Sequence, residues 1–320
     1  MTTSTKKVSG KKRYLGQYFS TTNVFNIKPL ELWKKNIPNF ESEILLEPFA
    51  GDCDILNYFS DNQWQCYDIS PNKENIIQNN SIKNFPEGYN VCITNPPYLA
   101  KNSVSRKHNK KKKTPLIKYE DQYLDALEQC LTYCSYVSVI IPSTFINLSK
   151  FKDRCLIIDK IDKIAFADTT VPVCVAYFVP EKVKEIKTYV NGERVYLNKH
   201  NTPFTINSKT LEIEFNSEKG NYVLNGIDSS TKKISINNAI NDFNREKYLK
   251  QTSRNYVLFK TKDICVKKIN NFIDNWREET KDYFLSSFKS PVGDNLFYRK
   301  RISFKQLKWI VWGVTSSLYY

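Results

Sequence analysis

The stretch Val91-Cys92-Ile93-Thr94-Asn95-Pro96-Pro97-Tyr98 constrains this chain more than any other. Four strand-like residues run into two consecutive prolines. Each proline fixes its own φ near about −65° and donates no backbone N–H. The residue before a proline is pushed towards extended geometry. Asn95 and Tyr98 are therefore presented on a stiff, extended piece of chain that makes no regular ladder. Such a strand end is either an ordinary proline turn or the lip of a site, and the rest of the chain must separate the two.

The pattern around it is one of strands alternating with helices. Ser42–Leu46 is a short apolar run that breaks at Glu47-Pro48-Phe49-Ala50-Gly51-Asp52-Cys53-Asp54, and Ile55, Leu56, Tyr58 and Phe59 then suggest a helix, with Asp52 or Asp54 as its N-cap. Trp64–Tyr67 reads as the next strand and ends at Asp68-Ile69-Ser70-Pro71. Asp68 follows Glu47 by 21 residues. Nucleotide-binding α/β folds place a ribose-hydroxyl acceptor about 20 residues past the first strand–helix turn. Asn26–Asn36 is an amphipathic helix by pattern, with Pro29 in its first turn. Asn72–Asn80 suggests a further helix, and Tyr119–Tyr133 another, with Tyr123, Leu124, Leu127 and Leu131 on one stripe. Tyr136–Ile141, Cys155–Ala167 and Val171–Val179 read as strands. This alternation predicts a mainly parallel, doubly wound α/β sheet with helices on both faces.

After Pro180 the character changes. A hairpin is expected around Asn191-Gly192, alternation over Phe204–Phe215, turns at Asn225-Gly226 and Asp228–Ser230, and an amphipathic helix over Asp263–Trp276. The segment Asn295–Tyr320 is aromatic and basic, and its tryptophans sit among Ile302, Leu307, Ile310 and Val311 as core residues would. The expected organisation is a flexible basic arm over residues 1–13, a first domain over 14–180 and a smaller α+β domain over 181–320.

The 320 residues carry a net charge of +15. A surplus of that size favours a polyanionic partner, nucleic acid before an anionic membrane, although a lysine- and asparagine-rich composition also follows from an AT-rich genome. No apolar run is long enough to span a bilayer, and the first residues lack the apolar core of a secretory signal. Eight cysteines include no CxxC pair, and there are only two histidines. The cysteines, among them Cys92, Cys174 and Cys265 within apolar runs, read as small buried hydrophobes, the compartment as cytoplasmic, and a metal site is not expected.

Three features fall in one order: Gly-Gln-Tyr-Phe-Ser at 16–20, Glu-Pro-Phe-Ala-Gly at 47–51 and Asn-Pro-Pro-Tyr at 95–98. Together they resemble the gamma-class amino-methyltransferases that use S-adenosylmethionine, typified by the DNA adenine-N6 methyltransferases of restriction–modification systems. The resemblance covers roughly residues 14–180 and implies a Rossmann-like class I methyltransferase sheet, followed by a target-recognition domain. It implies that Gln17, Tyr18 and Phe19 line the methionine end of the cofactor. Glu47, Pro48, Phe49, Ala50 and Gly51 would hold its amino-acid moiety. Asp68 would accept from the ribose, Ile69 would pack on the adenine, and Asn95 would also line the cofactor. Where the family often carries a second glycine, this chain carries Cys53. Asp121 and Tyr123 fall on a helix expected behind the site.

The implied chemistry suits the residue types. An exocyclic amine on adenine is a weak nucleophile because its lone pair is delocalised into the ring. Its two hydrogens can be accepted by the Asn95 side-chain oxygen and the Pro96 carbonyl. Tyr98 offers a flat face for a base, worth about 1–3 kcal/mol by analogy with single-strand binders. A base inside a duplex must first be flipped out. Neither a metal nor a general base is required. The implied substrate is double-stranded DNA, with N6 of adenine favoured over cytosine N4, an RNA amine or a protein glutamine. The implied partner is a cognate restriction endonuclease on a separate chain, and the expected state is a monomer. Lys110 and Lys111, in a basic run after the motif, are candidate phosphate contacts or a solvated run. Phe166 is a candidate aromatic clamp or a core residue. Arg299 and Arg301 are surface residues by default and candidate guanine readers.

Overall fold

The computed structural model describes residues 24–98, 118–163, 171–204, 206, 211–239, 255–289 and 298–316. The chain forms two compact units, one up to Arg194 and one from Val195 onward.

Among the described residues, nine strands build the sheet of the first unit: β1 (Ile44–Glu47), β2 (Gln63–Asp68), β3 (Ile77–Gln78), β4 (Val91–Thr94), β5 (Tyr136–Pro142), β6 (Cys155–Ile161), β7 (Val173–Phe178), β8 (Lys187–Val190) and β9 (Glu193–Val195). Their order is β3-β2-β1-β4-β5-β7-β6-β8-β9. Strands β1 to β5 pair in parallel, whereas β7 runs antiparallel between β5 and β6. The chain winds outward from β1 in one direction to β3 and then returns to β4 on the other side. That reversal between β1 and β4 is the switch point at which open α/β sheets bind ligands, beyond the carboxyl ends of the strands.

Helices cover both faces. Helix α1 (Ile27–Lys34) seats Leu30 and Trp33 in a cluster with Val91, Ile93, Val175 and Tyr177. Trp33 also donates its indole N–H to the carbonyl of Phe178 at 2.9 Å. Cys92 points the opposite way, as the two-residue period of a strand requires, and its sulfur lies 3.8 Å from that of Cys130 on helix α2 (Gln122–Tyr133). Arg154 closes the end of α2 by donating to the carbonyls of Leu131, Cys134 and Ser135, and it also reaches that of Val179.

Two expectations are corrected in this unit. Asn72–Asn80 is not a helix; it is a turn that ends in β3. Asn72 and Asn79 hydrogen-bond Asp52, Ser81 and the carbonyl of Asn84, and polar side chains of this kind compete with helical backbone pairing. The helix expected from Asp54 is a single short 3₁₀ segment, Asp54–Tyr58. The hairpin at Asn191-Gly192 forms as its sequence dictates, with φ of 49° and 79°. A Cβ on Gly192 would sit 2.7 Å from Asn26. Because β8 pairs in parallel with β6, the first unit extends past Pro180.

The second unit has a four-stranded antiparallel sheet of β10 (Glu214–Phe215), β11 (Tyr222–Asn225), β12 (Ser235–Asn238) and β13 (Tyr256–Lys260), ordered β10-β13-β11-β12. A hairpin of β14 (Ser286–Lys289) and β15 (Tyr298–Arg301) accompanies it. Helices α3 (Val266–Thr280) and α4 (Phe304–Thr315) pack through Trp276 and Trp309, whose rings lie 5.6 Å apart. Trp309 is buried, as expected of a core tryptophan. Cys265 departs from its expected burial: it is exposed at the start of α3, while the other seven cysteines are buried.

Candidate active site

The carboxyl ends of β1, β2 and β4 lie side by side at the switch point. Glu47 ends β1, Asp68 ends β2, and Thr94 ends β4 immediately before Asn95. Pairing is close enough that Thr94 donates its hydroxyl to Oε1 of Glu47 at 2.5 Å. The backbone N–H of Phe49 reaches the same oxygen at 3.0 Å. Glu47 is buried, and loss of hydration lifts its carboxyl to about 8; the hydrogen bonds from Thr94 and Phe49 oppose that rise only in part.

The turn after β1 folds back on β2. Ala50 donates to the carbonyl of Tyr67, and Gly51 donates to Oδ2 of Asp68, both at 2.9 Å. The other carboxylate oxygen of Asp68 accepts from the N–H of Ser70 at 2.7 Å. Lys73 donates to the carbonyl of Asp52 at 2.6 Å and joins the two loops. Gly51 takes φ of 55° and faces open space where a side chain would stand. Cys53, at the position of the family's second glycine, takes φ of 60°. The left-handed conformation a glycine would supply is therefore kept, with a cysteine held in it.

These features fit an S-adenosyl nucleoside with its amino-acid tail. Asp68 places its side-chain oxygens at the end of β2, against the turn that carries Gly51. Ile69 beside it is 47% exposed, an apolar face next to a polar group. The open approach at Gly51 leaves room for a ligand against the backbone.

Residues Asn95–Tyr98 carry no regular secondary structure. The Tyr98 hydroxyl donates to Oδ1 of Asn95 and lies 2.6 Å from the carbonyl oxygen of Ile140. Its ring meets Tyr123 of α2 edge-on, with centroids 6.5 Å apart, so α2 does pack behind this loop. Thr94 and Ile140 belong to this arrangement and were not singled out in the sequence. The strand alternation that sends Thr94 towards Glu47 could have identified the first. The second is a backbone carbonyl and carries no side-chain signal.

The structure thus brings together Glu47, Pro48, Phe49, Ala50, Gly51, Asp68, Ile69, Asn95, Pro96 and Tyr98 along one edge of the sheet. Gln17, Tyr18, Phe19, Lys110, Lys111 and Phe166 lie outside the described residues. Arg299 and Arg301 sit in the second unit on β15; Arg299 is half-buried rather than a plain surface residue, because its Nε donates to the carbonyl of Asp228 at 2.7 Å. Among the described residues no group of three or more His, Cys, Asp or Glu side chains is arranged to hold a metal ion, and no helix is long and apolar enough to cross a membrane.

No curated relative matches the sequence. Among solved structures, the chain is similar to the type I restriction-modification system methyltransferase subunit from Streptococcus thermophilus, at 11% identity over 55% of this chain and 48% of that one, with a TM-score of 0.36. It is similar to the type IIG restriction endonuclease BpuSI at 16% identity, over 55% of this chain and 27% of that one, with a TM-score of 0.38. It is also similar to the M protein of the type I restriction enzyme EcoKI at 13% identity, over 53% and 49%, with a TM-score of 0.32. The match spans less than half the length of each of these structures. The family model described as Eco57I restriction-modification methylase matches residues 11–171. That match takes in strands β1 to β6 and every motif aligned at the switch point, and by it the chain belongs to the Eco57I restriction-modification methylase family.

Proposed function

We propose that this chain transfers a methyl group from S-adenosylmethionine to N6 of an adenine flipped out of duplex DNA. One observation carries the reading. The Asn-Pro-Pro-Tyr loop leaves β4 at the switch point, beside the Glu47 turn and Asp68 at the ends of the adjacent strands. The cofactor, when bound, supplies an electrophilic methyl on a sulfonium.

The chain's own residues supply binding and orientation. Glu47 and the turn to Gly51 hold the charged amino-acid end, and Asp68 accepts from the ribose with Ile69 against the adenine ring. Gln17, Tyr18 and Phe19 line the methionine end. Asn95 Oδ1 and the Pro96 carbonyl accept the two amine hydrogens, which draws electron density back onto the nitrogen. The ring of Tyr98 stacks on the base, with Phe166 as a further aromatic contact. Fixing the amine against the methyl carries much of the rate. Lys110 and Lys111 contact phosphates. The unit from Val195 onward recognises the target, the chain acts as a monomer, and a cognate endonuclease resides on a separate chain.

The test is incubation with duplex DNA and labelled S-adenosylmethionine, followed by nucleoside analysis and methylome sequencing. N6-methyladenine at a defined site is the expected product. Label in N4-methylcytosine, RNA or protein would redirect the chemistry to another amine. Cofactor binding with no methylated product would sink the reading.

A further inference from the structure

The turn after β1 carries a second feature, a pair of thiols. Glu47 pairs in register with Cys66 of β2, and the N–H of Ala50 reaches the carbonyl of Tyr67. The N–H of Cys53 then donates to the carbonyl of Ala50 at 2.7 Å and closes a tight turn. Cys53 and Cys66 meet in a small buried cluster with Ala50 and Ile76, and their thiols hydrogen-bond each other. The two are not equivalent. The bond from Cys66 lowers the Cys53 pKa, and the Lys73 ammonium adds to that effect. Lys73 is anchored one residue away, on the carbonyl of Asp52 at 2.6 Å. The Cys66 thiol is raised, by its bond to Cys53 first and by burial second. Burial likewise pushes up the thiols of Cys92, Cys130, Cys155 and Cys174. Cys53 also stands at φ of 60°, where a side chain carries a conformational cost that glycine would not. Access is from the turn: Cys53 is 6% exposed, and two residues earlier Gly51 faces open space.

The thiolate is the nucleophilic form of cysteine, and a thiol beside a cation with a second thiol in contact is the arrangement of a reactive site. We propose that Cys53 and Cys66 are a peroxide-reactive dithiol whose disulfide ties the turn after β1 to strand β2. The Cys53 thiolate attacks one oxygen of hydrogen peroxide. An S–O bond forms, the O–O bond breaks, and the departing hydroxide takes up a proton as water. Cys66 then gives up its proton and attacks the sulfur of the Cys53 sulfenic acid. The S–S bond forms, the S–O bond breaks, and hydroxide leaves with that proton as a second water. The two sulfurs lose two electrons, and the peroxide gains them. The bond draws the sulfurs from hydrogen-bond contact to about 2.0 Å, so the turn that carries Gly51 shifts and its grip on the cofactor weakens. That consequence rests on the function proposed above; the disulfide does not.

The experiment treats the full chain with an equimolar amount of hydrogen peroxide, caps free thiols with N-ethylmaleimide and digests at aspartate without reductant. Asp54 and Asp61 lie between the two cysteines, so linked and unlinked peptides differ in mass. The expected result is a Cys53–Cys66 link that forms ahead of any other and disappears with dithiothreitol. Cys66→Ser should leave Cys53 as a sulfenic acid that dimedone traps, and Cys53→Ser should leave Cys66 capped by maleimide. Thermal melts show whether the variants fold, and the wild-type map decides the matter if either does not. A first link elsewhere, such as Cys92 to Cys130, whose sulfurs lie 3.8 Å apart, overturns the assignment, as does recovery of Cys53 as a free thiol. Calorimetry with S-adenosylhomocysteine then compares the reduced and oxidised chains. The oxidised chain should bind roughly tenfold more weakly and recover with dithiothreitol, because a site displaced by about an ångström loses its fit. Equal affinity overturns control of the cofactor turn. A reduced chain that binds no S-adenosylhomocysteine retires the cofactor reading, and the peptide map still decides the dithiol.

Discussion

The hydroxyl of Tyr98 donates to the side-chain oxygen of Asn95, three residues before it on the same loop, at 2.5 Å. The carbonyl of Ile140, on the neighbouring strand β5, lies almost equally close to that hydroxyl. A phenol has one proton to donate, so the two acceptors share it. The contact fixes the Tyr98 ring and occupies the Asn95 oxygen proposed to receive the target amine. Asn95→Ala should lower methyl transfer by about 100–1,000-fold, the usual cost of removing one preorganised polar group from a reaction centre, while cofactor binding measured by calorimetry stays near wild type. Tyr98→Ala should lower kcat/KM by about 1–3 kcal/mol of lost stacking. Tyr98→Phe keeps the ring and should lose less than Tyr98→Ala. Equal losses in the two Tyr98 variants would mean that the hydroxyl tether, and not the ring face, is the functional part.

Glu47 gives a pH dependence with a definite sign. Its carboxyl titrates near 4.5 as an ordinary side chain and near 8 in the fold, because burial disfavours the charged form. Below 4.5 both folded and unfolded chains hold the proton, so the carboxyl costs nothing. From there to about 8 the unfolded chain alone releases it, and stability falls as pH rises. Asp159, lifted to about 6 by burial, acts with the same sign lower down. The urea midpoint should therefore decline between about 4.5 and 8, and Glu47→Gln should flatten that decline. If Glu47 holds the cofactor's ammonium group, binding near neutral pH should release a proton. Calorimetry in buffers of different ionisation enthalpy would detect it, and affinity should rise with pH up to about 8.

Cys53 holds a backbone conformation that ordinary side chains adopt at a cost of about 1–2 kcal/mol. Cys53→Gly relieves that strain but loses a small buried side chain and loosens the unfolded chain. Its stability should stay within about 1 kcal/mol of wild type. Cys53→Val adds a branched Cβ at the same φ and should cost more than about 2 kcal/mol. Thermal melts of the two variants give the ordering, and a valine variant as stable as the glycine one would contradict it.

In the second unit Arg277 forks between two acids. It donates to both oxygens of Asp228 and to both of Asp282, at 2.7 to 3.0 Å, with its side chain 15% exposed. Arg277→Ala would remove the guanidinium that the two carboxylates share, and should destabilise the protein by about 3 kcal/mol. Arg277→Lys should recover only part of that, because an ammonium does not span both carboxylates in one plane. Chemical denaturation would read both values.

Much of this arrangement was legible beforehand because it is local. The Pro-Pro pair dictates an irregular strand end, Asn191-Gly192 dictates a tight hairpin, and the stripe of Tyr123, Leu124 and Leu127 dictates the buried face of α2. Asn72–Asn80 holds only two apolar residues, the adjacent Ile76 and Ile77, so no periodicity fixes its structure. Pairing of Ile77–Gln78 with β2 and the side-chain bonds of Asn72 and Asn79 decide it, and neither is visible as spacing. Cys265 is exposed although its sequence neighbours are apolar, because such a neighbourhood does not say which way a helix start faces.

The sequence by itself determined most of the strands, the helices around Trp33, Tyr123 and Trp276, and the order of Glu47, Asp68 and Asn95, since short-range sterics and two- or four-residue periodicity act within a few positions. Tertiary structure alone decided that β1 and β4 are neighbours. That long-range pairing sets Thr94 against Glu47, whose burial raises its pKa, and the pairing of β4 with β5 draws the Ile140 carbonyl to Tyr98. Burial and cross-strand contacts depend on where distant segments meet, and local sequence does not carry that information.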